Sequence, residues 1–186
     1  MVTQGNPDSR RIDLLGAARE NCARQYDDFY RTFASLDSKA QAVATLAGVQ
    51  LAALVIFLRE GNLVLLQSRF GDTAAVVLLV TLVVLLVAIA GAVAAMKVTS
   101  VPMPYQAAAE VDAVASLVLL QGEEFSDQVV INHLSEHNDA WKAILEGIEN
   151  ATSQKARSVA ACQWTLLLGL AGTVAVIYLL LLSAWP

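Results

Sequence analysis

Charged residues are absent from three long stretches of this 186-residue sequence, at 40–58, 74–96 and 164–185. A helix that rises ~1.5 Å per residue needs roughly 20 residues to cross a hydrocarbon core of ~30 Å. Each stretch is therefore predicted to be a membrane-spanning helix. Because Asp, Glu, Lys, Arg and His are all missing from these spans, ion-coupled transport is disfavoured, since it normally needs an ionisable group inside the membrane.

Cysteine is also scarce, and Cys22 and Cys162 have no metal-ligand spacing to any other residue. We interpret both as small packing residues on the reducing side of the membrane. The sequence shows no glycine-rich phosphate loop, no strand pattern and no internal repeat. Short helical segments without such motifs disfavour an enzyme, so no cofactor is expected.

The lysines and arginines indicate how the chain is oriented. Segment 1–39 holds six of the 12 cations, segment 97–163 holds four, and the predicted outer loop 59–73 holds two. Because cations resist translocation, we predict that the N-terminus and segment 97–163 lie in the cytoplasm and the C-terminus lies outside the cell. Segment 1–39 also lacks the apolar core of a signal peptide, so no cleavage is expected.

Segment 97–163 has nine acidic residues and four cations. Its formal charge of −5 equals the net charge of the whole sequence. An acidic cytoplasmic body repels phosphates. Nucleic-acid binding is therefore disfavoured, and so is a basic patch for lipid headgroups, while a local nucleotide pocket stays open as an alternative.

The polar segments have helical patterns of their own. Segment 1–39 is predicted to be an amphipathic helix that continues into the first span, with apolar residues at Ile12, Leu15, Cys22, Tyr26, Phe29, Phe33 and Leu36. Pro102 and Pro104 end the second span, and a helix is predicted at 106–121. From residue 123 a heptad-like stripe is predicted to run towards the third span, through Val130, Leu134, His137, Trp141, Ile144, Ile148 and Ala151. The predicted fold is an all-α membrane protein with three transmembrane helices and a cytoplasmic helical stalk.

Small residues recur along two of the spans. In the first span they occur at every fourth position, at Ala40, Ala44, Gly48 and Ala52. The second span has two pairs with the same spacing, Ala88 with Ala92 and Gly91 with Ala95. Such a face lets another helix backbone approach closely. Two interpretations remain open: packing of the three spans against each other, and packing between protomers of a homo-oligomer.

Gln50 is a primary amide near the middle of the first span. An amide in hydrocarbon is costly unless it is hydrogen-bonded, so Gln50 either bonds to another helix or lines a pore. Thr45 is a weaker candidate for the same roles, because a threonine hydroxyl can bond to the backbone of its own helix.

His133, Glu136 and His137 form an H-x-x-E-H string of the kind that inverted zinc peptidases carry on a helix. Those enzymes need a third protein ligand from elsewhere in the fold, whereas the acids that follow here lie on the same helix. We interpret the string as a match of residue pattern only, and we expect no bound metal. The alternative is that these residues bind zinc.

Two short motifs resemble the bacterial Pycsar effector transmembrane family. The first is Leu36-Asp37-Ser-Lys39-Ala40, which leads into a span with Gly48 and Leu51-Ala-Ala-Leu54 and is similar to the family's D-x-K-A entry. The second is Lys155-Ala-Arg157, which is followed by Ala160, Ala161 and a third span with Gly169-Leu170. The resemblance covers roughly residues 26–182.

This resemblance implies an anti-phage effector that disrupts the bacterial inner membrane on a cyclic-nucleotide signal. Asp37, Lys39, Lys155 and Arg157 would then lie at the cytoplasmic threshold of the spans, where movement of the stalk reaches the membrane. Because the sequence has no room for a nucleotide-sensing domain, a separate sensor protein or another trigger is expected. The alternative function is a membrane-anchored scaffold or accessory subunit that docks a cytoplasmic partner.

Overall fold

The computed structural model describes residues 7–59, 71–97, 115 and 126–184, and all regular structure in these ranges is helical. Helix α1 is Pro7–Arg59, α2 is Gly71–Met96 and α3 is Asp127–Ala184. All three are long and apolar enough to cross a membrane. The predicted all-α, three-span fold class is confirmed. The predicted helix 106–121 apart from residue 115, the two prolines before it and most of the outer loop lie outside the described residues.

Helix α1 joins the polar N-terminal segment to the first span without a break. It begins at Pro7, whose fixed φ and missing N–H suit the first helical position. Asp8 lies in the first turn and Arg59 in the last, and both charges are favourable to the helix dipole.

Helix α3 likewise joins the polar stalk to the third span. The Ser126 carbonyl accepts hydrogen bonds from the backbone N–H groups of Val129 (3.0 Å) and Val130 (3.4 Å), which start the helix. The helix then passes Gly147 and Asn150 uninterrupted, so neither residue divides it.

The chain packs as two compact units. The polar unit comprises Met1–Thr32 and Thr99–Thr152, and the membrane unit comprises Phe33–Val98 and Ser153–Pro186. The divisions on α1 and α3 fall ahead of the predicted span starts at 40 and 164, because the units follow the proximity of the helices whereas the predicted spans follow hydropathy.

Aromatic side chains organise the polar unit. The Tyr26 ring lies edge-on to Trp141 at 6.0 Å between centroids and stacks on Tyr30 at 6.4 Å. Burial raises the pKa of Tyr26, and the neighbouring charges of Tyr30 and Asp27 raise it further, so its phenol stays protonated. Tyr26 therefore acts as a neutral packing residue.

The contact stripe on the polar part of α3 differs from the predicted one at two positions. Trp141 and Ile148 are buried as expected, but Ile131 and Thr152 are buried where Val130 and Ala151 were predicted. Leu134, Ile144 and Leu145 are half-buried, so the middle of the stripe agrees with the prediction and the difference is confined to its two ends.

In the membrane unit each helix buries residues at alternating steps of three and four. This 3.5-residue repeat keeps one face of a helix turned towards its neighbours. On α1 the buried positions are Phe33, Leu36, Ala40, Val43, Ala47 and Leu54. On α2 they are Ala74, Leu78, Thr81, Leu85, Ala88, Ala92 and Ala95. On α3 they include Lys155, Val159, Cys162, Leu166, Gly169, Val176 and Leu180.

Helices α1 and α3 run parallel in the membrane unit, and α2 runs antiparallel to both. The end of α2 packs at Ala95 against the start of the first span at Ala40 and against Val159 of α3. Further along, Gly172 of α3 lies against Thr81. Residue Val159 is thus level with Ala40, five positions ahead of the predicted start of the third span.

Candidate functional site

Among the described residues of the membrane unit, two sets of polar contacts join α1 to α3. One lies midway along the spans at Gln50 and Thr173, and the other lies at the threshold, at Asp37 and Lys155. Elsewhere the described surface of this unit is mostly exposed aliphatic side chain, which suits contact with lipid. These two sets are therefore the candidate site.

At the midway level the Gln50 Nε2 group donates hydrogen bonds to Thr173 Oγ1 at 2.6 Å and to the Gly169 carbonyl at 3.2 Å. The sequence left open an interhelical hydrogen bond or a pore-lining role for Gln50, and the interhelical hydrogen bond is present in the structure. The buried Oε1 atom of Gln50 has no hydrogen-bond partner among the described residues. The amide is therefore only partly satisfied, and it retains one acceptor for another donor.

Threonine hydroxyls in the spans bond to the backbone of their own helices. Thr173 donates to the Gly169 carbonyl at 3.0 Å, which leaves its oxygen lone pairs free to accept the Gln50 amide. Thr81 donates to Val77 at 2.7 Å. Thr45 donates to Gln41 at 2.9 Å and is exposed, so the structure does not bring it to Gln50.

Glycines on α3 allow the close approach of α2 at this level. A Cβ atom at Gly169 would lie 2.6 Å from Leu85 Cδ2, and one at Gly172 would collide with Thr81 Oγ1. These glycines were not predicted as packing residues. The sequence feature that could have identified them is their position on the face of α3 that carries the 3.5-residue repeat.

The small-residue face of α1 belongs only in part to the packing of the three spans. Ala40 is fully buried, but Ala44 and Gly48 are half-buried and Ala52 is exposed. Apart from the backbone of α1 itself and the residues next to Gly48, no described atom lies within 4 Å of a Cβ built at Gly48. Packing among the described residues therefore leaves this face partly exposed.

The small residues of the second span do pack inside the membrane unit. Ala88, Ala92 and Ala95 are buried. A Cβ atom at Gly91 would lie 2.9 Å from the Cys162 sulfur. This position also explains Cys162, whose thiol fills the space beside a glycine.

At the threshold the Lys155 ammonium lies 2.7 Å from Asp37 Oδ1 and 3.6 Å from the centroid of the Phe33 ring. The Lys155 side chain is 3% exposed and that of Asp37 is 42% exposed. The ion pair and the cation–π contact together compensate the ammonium for its lost hydration. Lys39 and Arg157, the other two predicted threshold residues, are exposed.

The H-x-x-E-H string does not form a metal centre in the described part of the chain. The rings of His133 and His137 are 5.7 Å apart, but His137 is buried while Glu136 is exposed. No group of three or more His, Cys, Asp or Glu side chains that could hold a metal is found among the described residues.

These observations define the class of the protein as a three-span, all-α membrane protein with polar contacts between its first and third spans. No family model, curated protein or solved structure matches the chain. Its function therefore has to be argued from the two sets of polar contacts and from the motifs that contain them.

Proposed function

We propose that this protein is a non-enzymatic membrane effector of a bacterial anti-phage system, which oligomerises and disrupts the inner membrane when triggered. The observation that carries the proposal is that two interhelical polar contacts among the described residues of the membrane unit, Gln50 with Thr173 and Asp37 with Lys155, join the same two helices. Parting α1 from α3 would release an amide, a hydroxyl and an ion pair together.

Such groups cannot remain unpaired in hydrocarbon, so parting the helices favours either water or a second copy of the chain. The half-buried Ala44 and Gly48 and the exposed Ala52 offer a face on α1 for that second copy. In this mechanism protomers associate through α1, and Gln50 gives the opened assembly its polar lining.

The trigger acts from the cytoplasm in this proposal. The N-terminus and the stalk are cytoplasmic, and the C-terminus is periplasmic or extracellular. A cyclic-nucleotide signal, received through a separate sensor protein, changes the polar unit. Since α1 and α3 each continue from the polar unit into a span, the threshold pair Asp37 and Lys155 is where such a change first meets the membrane.

Membrane potential after induced expression tests this function. The wild type is expected to depolarise cells, and a Gln50→Leu variant is expected to depolarise them at least tenfold more slowly. Thr45→Val is the matched control, because Thr45 bonds only to its own helix. If Gln50→Leu depolarises cells as fast as the wild type, Gln50 has no part in the mechanism.

A membrane-anchored scaffold is the second candidate, and a groove in the polar unit favours it. The groove has a volume of about 460 Å³ and is lined by Gln25, Asp28, Phe29, Thr32, Leu145 and Glu149. Apolar walls with acidic residues would suit a basic amphipathic helix of a partner protein. Stable co-purification of a cytoplasmic protein, without any depolarisation, would favour the scaffold over the effector.

A further inference from the structure

Exposed cations occur on all three helices at the threshold of the membrane unit. They are Lys39 on α1, Lys97 just after α2 and Arg157 on α3. From these residues we infer a binding collar for the phosphate groups of anionic phospholipids, which we call the basic collar. The inference does not depend on the proposed effector function.

Packing places the three cations at one level. Leu36, Ala40, Ala95 and Val159 form a single buried cluster, with Met96 and Ala156 packed against it. Lys39 lies between two members of this cluster on α1, Lys97 follows the cluster on α2, and Arg157 lies within it on α3. At ~1.5 Å per residue, all three lie within about one helical turn of the same height.

Acidic residues are few around the collar: in the described membrane unit, one carboxylate lies at this level. The acids there are Asp37 and Asp72. Asp37 is paired with the buried Lys155, and Asp72 lies at the other end of α2. The threshold layer thus has four cations against one anion, although the whole chain has a net charge of −5. Summing charge over whole segments did not resolve this local excess, and the expectation against a basic lipid-headgroup patch stays a prediction that the experiment below tests.

The position of the collar favours lipid phosphate over phosphate in solution. Each cation is exposed, with Lys39 on α1, Arg157 on α3 and Lys97 directly after α2. Directly beyond Lys39 and before Lys97 the helices become the uncharged spans 40–58 and 74–96. Side chains at this border meet the headgroup region, where each Lys or Arg contributes on the order of a fivefold preference for an anionic surface.

The experiment measures which lipids the detergent-purified full-length protein retains from an equal mixture of phosphatidylglycerol and phosphatidylcholine, by native mass spectrometry. The wild type is expected to retain about tenfold more phosphatidylglycerol. Replacing the collar with Lys39→Gln, Lys97→Gln and Arg157→Gln is expected to lower that ratio at least fivefold. A wild type without preference overturns the inference, whatever the variant does.

The matched control removes the same charge from the polar unit with Arg10→Gln, Arg11→Gln and Arg31→Gln, all at exposed positions. This control is expected to keep the wild-type lipid ratio, and an equal loss in the control would overturn the inference. Glycerol phosphate is added as a soluble competitor. Displacement of the lipid at equal concentration would mean a site for free phosphate and would also overturn it. If the triple collar variant fails to insert, Lys39→Gln alone is expected to lower the ratio about twofold or more.

Discussion

At the scale of single residues, Lys155 shows how an apolar bundle holds a charge. Its side chain is nearly fully buried, and its ammonium lies between the Asp37 carboxylate and the face of the Phe33 ring. Each partner replaces part of the water that the ammonium has lost. The ammonium thus depends on these two α1 side chains to remain inside the packing.

Removing only the anion is therefore expected to destabilise the protein. We predict that Asp37→Asn lowers the free energy of unfolding by about 2 kcal/mol, below the range for fully buried pairs because Asp37 keeps some contact with water. Denaturant unfolding in detergent measures this change.

The double variant Asp37→Leu, Lys155→Met removes both charges and is expected to fall within about 1 kcal/mol of the wild type. Lys39→Gln, at an exposed position beside the pair, is the control and should change stability very little. An Asp37→Asn protein as stable as the wild type would show that the ion pair contributes nothing.

The sequence identified Asp37 and Lys155 as threshold residues, but it did not predict their contact. A lysine on a heptad stripe looks like an interruption of that stripe, and one sequence does not say which helix lies beside it. Gln50 was likewise predicted to need a hydrogen-bond partner. The sequence did not identify Thr173 as that partner, because it does not show that α1 pairs with α3.

At the scale of elements, the sequence predicted the three helices but left the packed face of the first span open. Uncharged runs of about 20 residues are decisive evidence for spans, and the continuity of α1 and α3 followed from the absence of a strong break. Inside a span every side is apolar, so hydropathy does not identify the packed face. At ~100° per residue, a step of four residues turns the side-chain direction by about 40° around the helix axis. The three steps from Ala40 to Ala52 therefore turn it by about 120° in total. Ala40 is therefore buried and Ala52 is exposed.

A pair of glycine variants tests this description of the helix faces. We predict that Gly172→Ala destabilises the membrane unit by about 1–3 kcal/mol, because the new methyl group collides with Thr81. Gly48→Ala enters open space and is expected to be neutral or slightly stabilising. Thermal unfolding in detergent compares them, and equal effects of the two variants would contradict the assigned packing.

At the scale of the whole molecule, three spans require the two ends of the chain to lie on opposite sides of the membrane. The cations favour a cytoplasmic N-terminus. We predict that a reporter that works only in the cytoplasm is active when fused before Pro7. A reporter that works only outside the cytoplasm is expected to be active when fused after Ala184. Both reporters reporting the same side would contradict the three-span topology.

The central claim is that α1 and α3 must part before the membrane becomes permeable, and a disulfide between them tests it most directly. Ala40 and Val159 share one buried cluster, so Ala40→Cys with Val159→Cys is expected to cross-link in a Cys22→Ser, Cys162→Ala background. Dye release from liposomes is measured with the protein oxidised and then reduced, at a protein concentration at which the wild type releases dye. We predict little release in the oxidised form and release at the wild-type level after reduction. Equal release by the cross-linked and reduced forms would contradict the account.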